Sequence, residues 1–139
     1  MRVEFSVPFV AAQRRPRFRV AGAHAQAYKD RRDREAEARI AAAFDASAGS
    51  YDPPLAPRGV PVAVRVDVLR ALPKSRPKRV ASEPDTARPD ADNVSKAVLD
   101  ALNGRAWADD SQVTSLTVTK HDRVRRRGDE TRVSVEIGE

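Results

Sequence analysis

Residues 88–113, RPDADNVSKAVLDALNGRAWADDSQV, decide how the chain is organised. Asp92 takes the position of a helix N-cap, and Asn103-Gly104 supplies residues that tolerate left-handed geometry where a helix should stop. Between them, apolar residues recur with the spacing of one helix face at Val94, Val98, Leu99 and Leu102. The stretch therefore predicts an amphipathic helix of about three turns, with acidic residues before and after it.

Four aspartates in this stretch are candidate metal ligands. Asp90 and Asp92 lie one residue apart, and side chains at i and i+2 of an extended segment project to the same side. Asp109 and Asp110 are adjacent, so only one of them is expected to point into the same site. Hard carboxylate oxygens suit Mg²⁺, which activates water and neutralises a phosphodiester. We therefore expect a divalent metal at one end of the helix.

Simpler interpretations stand beside this one. Asp92 alone could be an ordinary helix cap, and Lys96, four residues later, an ordinary surface partner for it. On the functional interpretation, the ammonium of Lys96 stabilises charge that develops on the reacting phosphate. Trp107 is expected to pack against the helix rather than to stack on a base. Aspartate pairs of this spacing also occur in phosphatases, glycosyltransferases and calcium-binding loops, so spacing alone does not select the reaction.

The composition favours a polyanionic partner. The 139 residues include 26 Lys and Arg against 20 Asp and Glu, which gives a net charge of +6. Basic residues collect in three segments that contain proline or glycine, and we expect these segments to contact nucleic-acid phosphates. The candidate DNA-binding residues are Arg14, Arg15, Arg17, Arg19, Lys74, Arg76, Lys78, Arg79, Arg125, Arg126 and Arg127.

Several functional classes are poorly supported by the composition. The chain has no cysteine, which removes disulfides, thiolate nucleophiles and cysteine-based zinc sites. His24 and His121 are its two histidines, and it has no glycine-rich phosphate-binding loop. No apolar run approaches the roughly 18 residues that span a bilayer, and the first residues do not resemble a signal peptide. We therefore expect a cytoplasmic protein that does not bind membranes and works through carboxylates.

The remaining periodicity predicts the fold class. Alternating apolar and polar residues indicate strands near residues 3–9, 62–69, 113–120 and 132–137. Residues 23–48 are rich in helix formers and predict the longest helix. Residues 124–130, VRRRGDE, are expected to form a hairpin loop between the last two strands. We expect one α+β domain over residues 1–139, with a mixed sheet of about four strands packed against two helices.

The central stretch also carries a family resemblance. PDADNVSKAVLDALNG followed by WADDSQV resembles the signature of the RusA-type Holliday junction resolvases, crossover junction endodeoxyribonucleases often carried by prophages. The likeness is close over residues 88–120 and looser at the basic RRPRF and SRPKR segments. It implies a homodimer that nicks opposing strands of a four-way DNA junction with Mg²⁺ or Mn²⁺, leaving 5′ phosphates and 3′ hydroxyls.

The resemblance also implies roles for individual residues. Asp90, Asp92 and Asp110 would bind the metal, and Lys96 would be the catalytic lysine. Our leading hypothesis is therefore a Mg²⁺-dependent, structure-selective DNA endonuclease that acts in recombination and repair. The alternative is a non-catalytic basic nucleic-acid-binding protein whose acidic cluster is a helix cap. A phosphatase of small substrates would not require the net charge of +6.

Overall fold

The computed structural model describes residues 1–13, 17–21, 24–28 and 31–138, with the backbone alone for the two short segments. Within these residues the strands are β1 (Arg2–Val7), β2 (Arg17–Ala21), β3 (His24–Tyr28), β4 (Val62–Leu69), β5 (Ser82–Glu83), β6 (Val113–Lys120), β7 (Arg123–Val124) and β8 (Glu130–Ile137). The helices are α1 (Arg31–Ala48), α2 (Ala91–Leu102) and a short 3₁₀ helix (Asp110–Gln112). No helix in the described part of the chain is long and apolar enough to cross a membrane.

A mixed four-stranded sheet forms the centre of the fold. Its strand order is β1-β8-β4-β6, with β4 antiparallel to β8 and parallel to β6. The two α-helices pack on one face of this sheet and share its apolar core. The α+β prediction, with about four strands and two helices, is confirmed.

The core follows from the periodicity of the chain. Successive strand residues point to opposite faces, so alternate residues of β4 are buried on one face, namely Val62, Val64, Val66 and Val68. Helix α2 adds Val94, Val98 and Leu102, spaced four residues apart, and α1 adds Ile40 and Phe44. Fully burying a side chain of this kind contributes about 1.5–3 kcal/mol, so this stripe holds α2 on the sheet.

The predicted long helix was wrong in its first part. Helix α1 begins at Arg31, whereas residues 24–28 form β3, which pairs antiparallel with β2. A ladder of cross-strand hydrogen bonds outweighs the small helix preference of Ala and Gln, which amounts to a few tenths of a kcal/mol per residue. Arg17 and Arg19 therefore lie in a strand rather than in a loop. Arg14 and Arg15 lie outside the described residues.

The predicted hairpin between the last two long strands was also wrong. Strands β6 and β8 are not neighbours, because β4 lies between them. Helix α2 connects β4 to the parallel strand β6, as a crossover connection requires, so β6 lies on the far side of β4. The segment after β6 must pass the end of β4 to reach β8, and part of it pairs as β7 with β5.

Candidate active site

Helix α2 begins two residues earlier than its sequence suggested. Asp90 is the N-cap residue, with extended φ and ψ of −70° and 153°, and Asp92 lies in the first turn. The carbonyl oxygen of Asp90 accepts from the backbone N–H groups of Asn93 and Val94 at 3.1 and 3.2 Å, which starts the helical ladder. The predicted N-cap at Asp92 was therefore wrong, and the two aspartates do not share one extended segment.

The carboxylates at this helix end are not used to cap it. The side chain of Asp90 makes no capping hydrogen bond. Asp90, Asp92 and Lys96 are all exposed, and none of these side chains pairs with another described residue. The unpaired N–H groups and the dipole of the helix favour negative charge here. The N-terminal end of α2 thus presents two aspartates to solvent, with a lysine one turn further on.

The loop before α2 is held against the ends of two strands. Arg70, which follows β4, donates from Nη1 to the carbonyl oxygen of Arg88 at 2.8 Å. Lys120, the last residue of β6, donates from Nζ to the carbonyl oxygen of Ala87 at 2.5 Å. The N-terminal end of α2 therefore lies at the C-terminal ends of the parallel pair β4 and β6.

Asp109 caps the short 3₁₀ helix that follows it. Its carboxylate accepts from the backbone N–H of Ser111 at 3.0 Å, and the side chain of Gln112 accepts from the N–H of Asp109 at 3.0 Å. This reciprocal pair is a capping box for the 3₁₀ helix. Hydrogen bonds from the Ser111 side chain and backbone hold the pKa of Asp109 below its ordinary value.

Asp110 has a different environment. One of its carboxylate oxygens accepts from the indole Nε1 of Trp107 at 2.8 Å. Trp107 is fully buried in the core, which confirms that it packs rather than stacks. The buried indole holds the carboxylate of Asp110 in one orientation. The second carboxylate oxygen of Asp110 makes no hydrogen bond to the described residues.

Asp110 lies at the opposite end of α2 from Asp90 and Asp92. The N–H of Gly104, just beyond α2, donates to the carbonyl oxygen of Trp107 at 2.8 Å. Asp110 also precedes β6 by three residues, at the strand end opposite to Lys120. Helix α2 has 12 residues and is therefore about 18 Å long. One chain thus does not bring the three aspartates together, and its described residues include no group of three acidic or histidine ligands.

The two aspartates at the start of α2 still fit a hard divalent cation. Mg²⁺ keeps several waters and is commonly held by one or two protein carboxylates together with substrate phosphate oxygens. Asp90 and Asp92 provide carboxylate oxygens that are exposed and free of hydrogen bonds from the described residues. A softer ion that prefers nitrogen or sulfur would find no such ligands beside them among the residues that the structure describes.

The predicted DNA contacts at residues 74–79 fall into two groups. Lys74, Lys78 and Arg79 are exposed and make no ion pair or hydrogen bond with described residues, so their charges remain available. Arg76 pairs with Glu83 at 2.9 Å, and that hydrogen bond raises the pKa of the Arg76 guanidinium. Both groups lie along one proline-bearing loop between β4 and β5.

The arginines at 125–127 serve partly to hold that loop. The guanidinium of Arg125 donates to the carbonyl oxygens of Arg76, Pro77 and Val80, at 3.4, 2.8 and 2.8 Å. Arg127 donates to the carbonyl oxygen of Asp122 at 3.1 Å, and Arg126 is exposed. The basic loop between β4 and β5 is therefore fastened to the segment that follows β7.

The sequence interpretation missed three residues near the site. Arg70, Asp85 and Lys120 come from separate parts of the chain and meet behind the loop that leads to Asp90. The sequence signals were Asp85, five positions before Asp90, and Lys120, at the end of the strand over residues 113–120. Those signals depend on which strands are neighbours, so they are visible only once the fold is known.

Comparison with known proteins identifies the family of this chain. The family model described as endodeoxyribonuclease RusA matches residues 8–138. The uncharacterized protein YqaN of Bacillus subtilis (strain 168) is 43% identical over 68 residues, which cover 43% of this chain and 48% of that protein. The match thus spans about half the length of that relative. Because the family model covers nearly the whole sequence, this chain belongs to the RusA endodeoxyribonuclease family.

Proposed function

We propose that this protein is a structure-selective DNA endonuclease that resolves four-way Holliday junctions with Mg²⁺ or Mn²⁺. The observation that carries the proposal is the N-terminal end of α2, where Asp90 and Asp92 are exposed and free of capping hydrogen bonds. A cluster that served only as a cap would use its carboxylates as Asp109 does. Asp90 does not, so the binding-only alternative leaves its position unexplained.

Each residue of the site has a defined task in this proposal. Asp90 and Asp92 would hold the divalent ion, which would supply a nucleophilic water and neutralise charge on the phosphodiester. Lys96, one turn beyond Asp92 and without a partner among the described residues, donates to a non-bridging or leaving oxygen of the phosphate. Water attack then breaks the bond to the 3′ oxygen and leaves a 5′ phosphate and a 3′ hydroxyl.

The third carboxylate is supplied by a second copy of the chain. Asp110 is separated from Asp90 by about the length of α2, so it cannot ligate the same ion on one chain. Its orientation by Trp107 nevertheless leaves one oxygen available. A homodimer in which each copy lends Asp110 to the other would contain two complete sites. Two sites are what paired nicks in opposing strands of a junction require.

Strand β6 offers a route to this dimer. It is an edge of the four-stranded sheet, and residues 114–117 contain no proline or charge that would block pairing. Leu116 lies on the same face as its core partner Val64 yet is 43% exposed, because nothing among the described residues covers it beyond the edge. Antiparallel pairing of two β6 strands would bring the Asp110 end of one copy beside the Lys120 end of the other.

Cleavage of defined DNA structures tests the nuclease. A four-way junction, a flap and a linear duplex are incubated with the protein in Mg²⁺ and in EDTA. We expect symmetric nicks in the junction in Mg²⁺ alone. Asp90→Asn should bind the junction and stop cutting, whereas the charge-matched control Asp52→Asn, an exposed loop residue, should cut normally. Wild-type cleavage by Asp90→Asn would refute the site assignment.

Mixing two inactive variants tests the shared site. Asp90→Asn and Asp110→Asn chains are allowed to exchange subunits, and junction nicking is measured. A site shared between copies predicts restored single-strand nicking, since the mixed dimer contains one site with both aspartates intact. A site confined to one chain predicts no restoration, because every chain carries a defect. Leu116→Lys should lower both the dimer fraction in light scattering and the cleavage rate.

A further inference from the structure

A buried carboxylate lies directly behind the loop that delivers Asp90. The side chain of Asp85 has no exposed surface. Its Oδ1 lies 3.4 Å from Nη1 of Arg70 and 4.0 Å from Nζ of Lys120, and it accepts from the N–H of Ala87 at 3.3 Å. Its Oδ2 is buried without a hydrogen-bond partner among the described residues. Such a group is costly unless nearby cations compensate its charge.

The same two cations also hold the backbone of this loop. Arg70 donates to the carbonyl oxygen of Arg88, and Lys120 donates to that of Ala87, as described above. Arg70 follows β4 and Lys120 ends β6, so the cations are fixed by the rigid sheet. The loop is thereby tied to two strands within three residues of Asp90. Neither cation is needed for the apolar core, in which the two residues have no part.

We propose that Arg70, Asp85 and Lys120 form a positioning cluster that sets the metal affinity of the site by fixing the backbone before Asp90. Asp85 orients the two cations, and the cations hold the carbonyl groups of Ala87 and Arg88. The aspartates that follow then occupy one position before the metal arrives, so binding does not have to order them. The inference rests on the proposed metal site at the start of α2.

Direct metal binding is the main test. Mn²⁺ affinity of the DNA-free protein is measured by paramagnetic resonance for the wild type, Asp85→Asn and Lys120→Met. Loss of groups that orient metal ligands typically costs about 10- to 100-fold in affinity, and we expect a loss of that size in both variants. Junction affinity in EDTA should stay at the wild-type value, because a positioning role does not involve the DNA contacts.

A matched control comes from the other face of the sheet. Asp67 on β4 pairs with His121, just after β6, at 2.7 Å, so this pair bridges the same two strand ends without touching the loop. Asp67→Asn should therefore leave Mn²⁺ affinity unchanged. Wild-type Mn²⁺ affinity in Asp85→Asn and Lys120→Met would overturn the inference. Should Asp85→Asn fail to fold, Lys120→Met decides alone, since this side chain is partly exposed.

The outcomes separate this inference from the proposed function. A wild-type protein that binds no Mn²⁺ and cuts no junction would refute the metal-dependent nuclease itself. A wild type that binds Mn²⁺ and cuts, together with variants of unchanged metal affinity, would refute the positioning cluster alone. A uniform loss of metal affinity, junction affinity and thermal stability would assign the cluster to general folding and would also overturn the inference.

Discussion

Asp109 and Asp110 show how neighbouring residues of one type take different roles. Asp109 caps the 3₁₀ helix, and its pKa is held low by hydrogen bonds from Ser111. Asp110 is directed by the indole of Trp107, which is itself fixed in the core. The side chains of adjacent residues point in different directions. One of the two aspartates can therefore cap the 3₁₀ helix while the other remains available to a metal. The choice of Asp110 as the ligand remains a prediction that these contacts favour.

Two substitutions separate these roles. Asp109→Ser keeps a good cap and should leave junction cleavage near the wild-type rate. Asp110→Asn removes the negative charge of the proposed third ligand, so cleavage should fall by about 100-fold or more if the assignment is right. Single-turnover cleavage in saturating Mg²⁺ measures both. A large loss in Asp109→Ser with normal cleavage by Asp110→Asn would reverse the assignment.

Trp107→Phe tests the anchor of Asp110. The substitution keeps an aromatic ring in the core but removes the N–H that donates to the carboxylate. Hydrogen bonds to charged groups contribute about 1.5–3 kcal/mol, so the free energy of unfolding should fall by an amount of that order. Urea denaturation measures it. An unchanged denaturation midpoint would show that the indole hydrogen bond has no net effect on stability.

Helix α2 is the element that relates all parts of the site. Its N-terminal end carries Asp90, Asp92 and Lys96, its apolar stripe packs on β4, and its C-terminal end adjoins Trp107. The helix ends at Asn103, and Gly104 follows with a φ of 78°. Because this 12-residue helix separates the two acidic groups of one chain by about 18 Å, the proposed metal site requires Asp110 from a second copy.

Gly104→Ala tests the end of this helix. A φ of 78° lies in the left-handed region, where a side chain costs about 1–2 kcal/mol. A Cβ at this position would meet no atom within 4 Å, so the cost is one of backbone conformation alone. Thermal unfolding should show the loss. Gly128→Ala is the matched control, since its φ is not in that region and its Cβ would also be free of contacts, and it should be close to neutral.

The contact between Asp67 on β4 and His121, just after β6, should contribute stability that depends on pH. Burial alone would raise the pKa of Asp67, but hydrogen bonds from His121 and Arg65 outweigh it and lower the pKa below 3.8. A lowered carboxyl pKa contributes stability that is present above the unfolded value and is lost as pH falls through the folded value. The stability difference between wild type and Asp67→Asn should therefore shrink below pH 3.8. Urea titrations at neutral and acidic pH measure it, and a constant difference would contradict the argument.

At the scale of the whole molecule, the distribution of charge connects the fold to the proposed DNA substrate. The basic residues behind the net charge of +6 differ in their contacts. Arg76 and Arg125 bind other parts of the chain. Lys74, Lys78 and Arg79 have no partner among the described residues and are available to DNA phosphates. Exposed cations on one loop can follow a phosphate backbone without displacing internal partners. We therefore expect this loop, rather than the total charge, to dominate DNA affinity.

The salt dependence of junction binding measures this contribution. Each phosphate that a cation neutralises contributes about 0.9 to the slope of log affinity against log salt concentration. Lys74→Gln combined with Lys78→Gln should reduce the slope by about that amount for each phosphate that is no longer neutralised. Arg2→Gln, an arginine on β1 that pairs with Glu136, should leave the slope unchanged. Equal effects of the two changes would indicate a diffuse attraction instead of a defined surface.

Local patterns were sufficient for much of the fold and for the types of residue in the site. The alternation of valines in β4 and the fourfold spacing in α2 each reflect an interaction between near neighbours in the chain. The same logic failed at residues 24–28, where pairing with β2 outweighs helix preference, and at residues 124–130, where β4 separates two strands. Both failures involve partners that are distant in sequence or set by strand order.

The sequence by itself determined the acidic stretch, the helix between its two halves, the basic loops and the family to which the chain belongs. Only the tertiary structure decided that Asp109 is a cap, that Arg125 holds a loop and that Asp85 lies between two cations. It also placed Asp110 a full helix length from Asp90. The physical reason is that hydrogen bonding and burial depend on which strand ends meet, and β4 brings those ends together only after the chain has folded.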